Sequence, residues 1–374
     1  MQPNRPGSGP PPAAGAAIRG RGTAENPPNR FERLTEVADG EFLDSERLST
    51  EFGDSERVPR VRTAYFRDPS RTIIAFNKSP DLHFDASLNP YRGCEHGCIY
   101  CYARPSHEYL GFSAGLEFES KILVKTDAPR LLRDELASPG WKPQVVAVGA
   151  NTDSYQPIEA RLRITRGCLE VFAEFRNPVA IVTKGSLVIR DSDVLAELAA
   201  CDAAAVNVSI TTLDRDLSRI MEPRAATPHH RLETVADLAS RKIPVGVMLA
   251  PIIPGLTDHE IPAIVEAATR AGAQWIAHVV LRLPHGVGPL FEAWLQRHFP
   301  ERASKVMNRV RELRGGRTND PRFHTRMRGE GVFADQIHSM MALALRRAGT
   351  PNDRPMLSTD AFRRAPDTQL SLFG

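Results

Sequence analysis

The sequence predicts an α/β protein built on a parallel sheet, and three observations carry that prediction. Short β-branched runs recur through the middle of the chain, with amphipathic helical patterns between most of them. The interior runs VAIVT (179–183) and VGVML (245–249) are apolar throughout rather than alternating, as in strands buried on both faces. Repeated strand–helix units of this kind form either a parallel barrel or an open doubly wound sheet. Both place their chemistry at the C-terminal ends of the strands.

Taken in order, residues 1–30 hold 7 Pro and 5 Gly and almost no large apolar side chains. Such a segment buries too little surface to offset its ordering entropy, so disorder is expected. Residues 31–70 are polar and charged, which extends a loosely ordered N-terminal arm over 1–70. Residues 71–285 form the α/β unit. Its expected strands are Leu116–Val124, Gln144–Gly149, Pro178–Thr183, Ala205–Thr211, Val245–Pro251 and Trp275–Leu283. Ile164, Cys168, Val171, Phe172 and Phe175 share one helical face. Val194, Leu195, Leu198 and Cys201 share another, after the cap candidates Asp191 and Ser192. Asp258 caps a third helix bearing Ile261, Ile264, Val265 and Ala268. After Pro284 the strand pattern stops, and residues 286–347 read as a helical extension with helices near 287–314 and 331–347. Residues 348–374 read as a flexible tail, and no internal repeat is present.

Hydrophobic residues make up 41% and charged residues 25%, ordinary values for a globular protein. No apolar run reaches the roughly 18 residues a spanning helix needs. The N-terminus carries no apolar signal-peptide core, so a cytoplasmic protein without a membrane partner is expected. The formal charge of +3 singles out no partner. Of 48 basic residues only seven are Lys; Arg suits phosphate recognition, and a GC-rich genome produces the same bias. Five Cys in an unsecreted chain of this size point to thiol or metal chemistry rather than a disulfide framework.

The segment SLNPYRGCEHGCIYCYARPSH places Cys94, Cys98 and Cys101 in a C-x3-C-x2-C array. Three thiolates this close converge on one metal centre when the chain loops around it, and Gly93 and Gly97 supply the backbone freedom. No fourth Cys lies nearby. Three thiolates on an iron–sulfur cube leave one iron open, whereas a ferredoxin-type site uses four. The alternative is a structural zinc with His96 or His107 as fourth ligand.

This array, with the aromatic Tyr100 before its last cysteine, resembles the signature of the radical S-adenosylmethionine (SAM) superfamily. The SLNPYRGC…CIYCYAR stretch resembles more narrowly its spore photoproduct lyase-related branch, from about Phe76 to Arg328. The resemblance implies a partial (β/α)6 TIM-type barrel with a helical C-terminal extension. It implies a [4Fe–4S] cluster on Cys94, Cys98 and Cys101, with SAM on the open iron, cleaved by one-electron reduction to a 5′-deoxyadenosyl radical. A reducing partner such as flavodoxin or ferredoxin follows from that chemistry. By the same resemblance Tyr100, Thr152, Lys184 and Ser209 contact SAM.

Other polar residues fall at expected strand ends: Asn151, Asp153, Tyr155, Gln156 and Glu159 after VVAVG, Ser186 after VAIVT, Thr211 and Thr212 after AVNVS, and Arg282 near Leu283. Glu222, Arg224 and Arg231 can form a pocket-mouth charge cluster or a surface ion pair. The lyases carry a hydrogen-donating Cys just after the strand that here ends at Gly149, where this chain has Ala150 and Asn151. Cys168 and Cys201 lie on apolar helix faces and read as core residues; Tyr155 is a candidate hydrogen donor. The GGE stretch of many radical SAM enzymes is absent, and NTDSYQP stands in that region.

Between Arg297 and Arg328 ten Lys or Arg face three acids, a patch suited to a phosphate backbone or to a solvated helix face. The C-terminal QLSLF, with Gln369, Leu370, Leu372 and Phe373, is similar to the peptide by which bacterial repair proteins bind the sliding clamp. The expected function is a radical SAM enzyme acting on a lesion or modified base in DNA and recruited by the clamp. The alternatives are modification of RNA or protein, and a non-catalytic, metal-stabilised adaptor for DNA and clamp.

Overall fold

A computed structural model describes residues 18–31 and 61–364 of the chain. Among the described residues ten strands form two sheets: β1 (Ala64–Arg67), β2 (Ile74–Phe76), β3 (Ala86–Leu88), β4 (Tyr91–Arg92), β5 (Lys121–Val124), β6 (Val146–Val148), β7 (Val179–Thr183), β8 (Ala204–Ser209), β9 (Val245–Ile252) and β10 (Trp275–Val280). The larger sheet has the order β10-β9-β8-β7-β6-β3-β2. Its six strands from β3 to β10 are parallel and β2 is an antiparallel edge. This is the partial (β/α)6 barrel. All six residues of β8 are buried, because helices cover one face of the sheet and the barrel interior the other.

Crossover helices return the chain between strands, among them Ile164–Phe175, Ser192–Ala199, Pro228–Ser240 and Ile261–Arg270. Cys168 is buried in the apolar core, and Cys201 packs against it. The extension supplies helices Val287–His298, Pro300–Glu312 and Val332–Ala348. The loop after Glu312 runs along the free edge of β10, where the Val280 amide donates to the Met327 carbonyl (2.9 Å). Buried Arg314 donates to the carbonyls of Val280 and Leu281. Arg326 then reaches Asp81 in the β2–β3 connection, with Nε 2.5 Å from the carboxylate. The gap in the ring is thus bridged by side chains.

Several expectations need correction. Leu116–Val124 is not one strand: Leu116–Ser120 is a helical turn and only β5 is extended. The Ser120 hydroxyl satisfies the Leu116 carbonyl within that turn, and Glu119 turns inward to a buried arginine. β5 also lies outside the barrel, between β1 and β4 in a three-stranded sheet. The first barrel strand, β3, was not anticipated, since three residues are too few to show a pattern.

The arm expected over 1–70 is ordered where it is described. Ile18, Thr23 and Asn29 are buried, and β1 pairs in parallel with β5. Residues 18–31 gain order by docking polar and glycine backbone onto residues 97–119, which compensates for their lack of apolar side chains. Likewise the described part of the 348–374 tail packs onto the barrel. The amides of Ser358 and Arg363 donate to the carbonyls of Asp202 and Phe175 (both 2.9 Å), and Phe362 lies against Phe175. The clamp-like QLSLF lies outside the described residues. No helix among the described residues is long and apolar enough to cross a membrane.

Candidate active site

The cysteines occupy the loop that follows β4. The Cys94 amide donates to the Phe118 carbonyl (2.9 Å), and the amides of Gly97 and Cys101 close turns onto the carbonyls of Cys94 and Cys98 (3.3 and 3.2 Å). Gly97 has φ +67°, and a Cβ there would fall 2.6 Å from the Glu119 carboxylate, so the turn requires glycine. Burial pushes the Cys94 thiol well above its ordinary pKa, and the nearby Asp153, Cys98 and Cys101 push it further. Burial also raises Cys98, with Glu222 and Cys101 adding to it and Lys184 opposing. The three sulfurs therefore share one electrostatic neighbourhood, and a cationic centre bound there would favour their thiolates.

The loop is held by buried ion pairs that the sequence did not disclose. Arg104, fully buried, donates to the carbonyls of Cys98 (3.0 Å), Gly97 (3.2 Å), Ala114 (3.2 Å) and Gly115 (2.9 Å). Its remaining contact is Glu119, 2.5 Å away and equally buried. The N-terminal segment completes this knot: the Gly22 amide donates to Glu119 (2.9 Å) and Arg21 to the Glu119 carbonyl (2.6 Å). Glu95, also fully buried, accepts from Tyr65, Arg224 and the Ile158 amide. A motif search sees one Arg three residues past a cysteine; only the fold reveals its four carbonyl partners.

On the barrel side, Asp153 ties the loop to the strand ends. Its carboxylate accepts from the Thr183 hydroxyl and the Lys184 amide (both 2.7 Å) and lies 3.3 Å from His96 Nδ1. Burial opposes its ionisation, but His96 and these donors outweigh burial and hold its carboxyl well below the usual range. Tyr100 donates to buried Glu222 and lies 3.2 Å from the Thr211 hydroxyl. Glu222 also pairs with Arg231, and both are buried. The surface alternative for this charge cluster is therefore wrong, and Arg224 separates from it to join Glu95.

Lys184 Nζ stands 5.8 Å from the Tyr100 ring centroid; burial lowers its pKa, partly countered by Cys98. Ser209 is buried at the end of β8, and its carbonyl accepts from Arg231 (3.1 Å). Tyr100, Lys184 and Ser209 thus gather between the cysteine loop and the strand ends. Thr152 behaves differently: its hydroxyl donates to the Tyr91 carbonyl (2.7 Å) and is committed to the fold. Tyr155 is buried in the hydrophobic core, away from any donor role at the mouth. At the mouth itself, Tyr102 donates to the Ala150 carbonyl, and the Arg282 guanidinium lies 4.6 Å over its ring.

Neither zinc-ligand candidate suits that role. His96 faces Asp153, and His107 is wedged between Phe112 and Phe118. Among the described residues no three His, Cys, Asp or Glu side chains close around a single ion. Three thiols without a fourth protein ligand fit a cluster with one open iron. Half of the ten basic residues in the stretch are spent within the fold: Arg309, Arg311, Arg322 and Arg326 pair with Asp258, Glu292, Asp320 and Asp81, and Arg314 is buried.

Comparison with known proteins bears on this arrangement. Residues 88–268 match the family described as the Radical SAM superfamily. "Uncharacterized protein Rv2578c" of Mycobacterium tuberculosis (strain ATCC 25618 / H37Rv) is 37% identical over 244 residues, 64% of this chain and 71% of that protein. "Uncharacterized protein MJ0683" of Methanocaldococcus jannaschii is 25% identical over 223 residues, 60% of this chain and 80% of that protein. A cysteine-to-serine mutant of spore photoproduct lyase superposes with a TM-score of 0.55 at 15% identity, covering 77% of this chain and 80% of that one. A double mutant of the same lyase with bound AdoMet and dinucleoside spore photoproduct gives 0.54 at 14% identity, covering 79% and 82%. At these identities the structural likeness establishes the fold.

Proposed function

Because the chain belongs to the radical SAM superfamily, whose cofactors are a [4Fe–4S] cluster and SAM, we propose that it is a radical enzyme acting on a lesion or modified base in DNA. Cys94, Cys98 and Cys101 hold the cluster. When bound, cluster and SAM supply one-electron cleavage of SAM to a 5′-deoxyadenosyl radical that abstracts hydrogen. Arg104 and Glu119 fix the carbonyls between the cysteines. Asp153 and His96 hold that loop against the strand ends. Tyr100, set by Glu222 and Thr211, and Lys184 orient SAM from the barrel side, while the apolar strands keep water from the interior. Thr152 shapes the site through the Tyr91 carbonyl.

The observation that carries the reading is the C-x3-C-x2-C loop, whose three thiols share one electrostatic neighbourhood and lie beside Asp153, which is bound to the strand end at Thr183 and Lys184 of a six-stranded parallel barrel. The lyase-like fold supports DNA as substrate, and so does the similarity of QLSLF to clamp-binding peptides, a feature outside the barrel. Ala150 and Asn151, where the lyases carry their hydrogen-donating Cys, favour a lesion other than spore photoproduct. RNA or protein modification is the second reading.

Anaerobic reconstitution tests the proposal. Iron and sulfide in cluster stoichiometry are expected, with a reduced-state electron paramagnetic resonance signal that shifts on adding SAM and disappears in Cys94→Ala. 5′-Deoxyadenosine formation stimulated by damaged duplex DNA supports the substrate. Stoichiometric zinc without a SAM response refutes the enzymatic reading in favour of an adaptor, and stimulation by RNA or protein alone refutes the DNA assignment.

A further inference from the structure

The barrel sheet ends at β10 on one side and β2 on the other, and one arginine stands at the top of that seam. The Leu281 amide donates to the Ile252 carbonyl (2.9 Å), where β9 ends. Arg282 therefore follows at the C-terminal end of the sheet, on the side of the cysteine loop. Its guanidinium is 4.6 Å from the Tyr102 ring centroid. Tyr102 follows Cys101 and donates to the Ala150 carbonyl, just past the end of β6. Ring and guanidinium thus lie across the mouth, and Tyr102 remains 45% exposed.

Arg282 differs from the buried arginines of the fold. Arg104, Arg231 and Arg314 each sit on carbonyl or carboxylate partners. Among the described residues the partly buried Arg282 guanidinium donates no hydrogen bond and pairs with no acid; it meets the Tyr102 ring instead. Burial lowers its pKa; Tyr102 opposes that and Arg326 adds to it. The carboxylate that faces it, Asp81, is already engaged by the His324 amide (2.6 Å) and by Arg326 Nε (2.5 Å). Two guanidiniums thus share one carboxylate. Arg326 also lies 4.8 Å over an aromatic ring, that of half-exposed Phe323. A cation withdrawn from water without a partner is costly, and a ligand anion would supply the missing charge.

We propose that Arg282 receives a phosphodiester of the nucleic-acid substrate, next to the nucleotide that enters the mouth. The inference rests on the DNA reading above. The Tyr102 ring holds the guanidinium by its flat face, which leaves the N–H groups at its rim free for the two non-bridging oxygens of a phosphate. A guanidinium stacked on an exposed ring suits a nucleotide, which brings an anion and a flat base together. A peptide carboxylate would use the charge alone. The SAM carboxylate is the other anion of the site, and Lys184, beside Tyr100, Cys98 and Cys101, is the cation on its side.

The test uses the reconstituted full chain with SAM, its variants Arg282→Met and Arg282→Lys, and an ultraviolet-irradiated, fluorescein-labelled duplex oligonucleotide. Met keeps the bulk over Tyr102; Lys keeps the charge and loses the planar fork. By fluorescence anisotropy Arg282→Met is expected to lose roughly tenfold in affinity. Its log affinity should also fall less steeply with log salt, by about 0.9. Arg282→Lys should keep the wild-type salt slope and lose part of the affinity. Neutral methylphosphonates, placed singly along the duplex, then locate the contact. At one position the wild type should lose roughly tenfold and Arg282→Met nothing further. Wild-type affinity and salt slope in Arg282→Met overturn the assignment, as does an additive loss at every position. The absence of a sensitive position in the wild type overturns it without reference to any variant. Loss of the SAM-induced paramagnetic resonance shift in Arg282→Met, with DNA binding intact, gives the residue to the cofactor and overturns it too. A wild-type protein with a SAM-responsive cluster that binds no DNA overturns the DNA reading and this inference with it.

Discussion

Replacing Arg104 by Ala removes the cation that organises the cysteine loop. Arg104 is fully buried, as is its partner Glu119. Breaking a buried pair by removing one member costs about 3–5 kcal/mol, because the other charge is left uncompensated. Four carbonyls also lose their donor, and an unsatisfied buried group costs about 1–3 kcal/mol. These terms share one side chain and do not add fully, so a loss of at least about 4 kcal/mol is expected. That corresponds to a Tm drop of roughly 5–15 °C.

The loss should depend on pH. Burial already raises the Glu119 pKa, and Arg104 is the first of the groups that oppose this rise. Without Arg104 the folded-state pKa climbs further above the unfolded value. An acid with a raised folded pKa stabilises the fold below the unfolded pKa and progressively less as pH rises through the folded one. The variant should therefore be less impaired near pH 5 than near pH 8. Differential scanning fluorimetry across pH, with iron content after reconstitution, measures both effects. A variant within about 2 °C of wild type at every pH, retaining its iron, would refute the assignment of Arg104 as the centre of the loop.

Two further outcomes follow from the buried charges. Burial holds His107 at a pKa of about 4, so its contribution to stability is complete above the unfolded pKa near 6.5 and is lost as pH falls toward 4. His107→Phe should flatten the stability profile across that window in urea titrations, and an unchanged slope would disprove this. Glu222→Gln leaves buried Arg231 without a counter-charge and should cost about 3–5 kcal/mol, whereas adding Arg231→Met should recover much of the loss. A double variant no more stable than the single one in denaturant titration would contradict this account of the pair.

The sequence was legible where chemistry or packing repeats. VAIVT and VGVML proved to lie in parallel strands, mostly buried, because continuous apolar runs have few other places to go. The C-x3-C-x2-C array stood out because its spacing is rare without a metal centre. What stayed hidden was long-range and polar. Arg104, Glu119, Glu95 and Arg21 look like solvent charges until the fold brings together residues such as Arg21 and Glu119, 98 positions apart. Thr152 shows the converse. The family resemblance implied a cofactor contact for it, whereas its hydroxyl donates to the Tyr91 carbonyl. The N-terminal segment misled through composition, since glycine and proline weaken local order but also permit backbone to lie directly on backbone.

That backbone-on-backbone contact also orders events in the life of the chain. Residues 18–31 are made early, but their anchors arrive much later. Asn29 waits for the Glu108 carbonyl, 79 residues downstream, and Gly22 for Glu119, 97 residues downstream. Loop closures of this length come late relative to local turns and helices. While the segment waits, the Gly97 turn lacks its backbone neighbour Gly22, and the Glu119 carboxylate lacks one of its donors. A stretch made before its anchors thus becomes a closing piece, set down on a cysteine loop that is already in place.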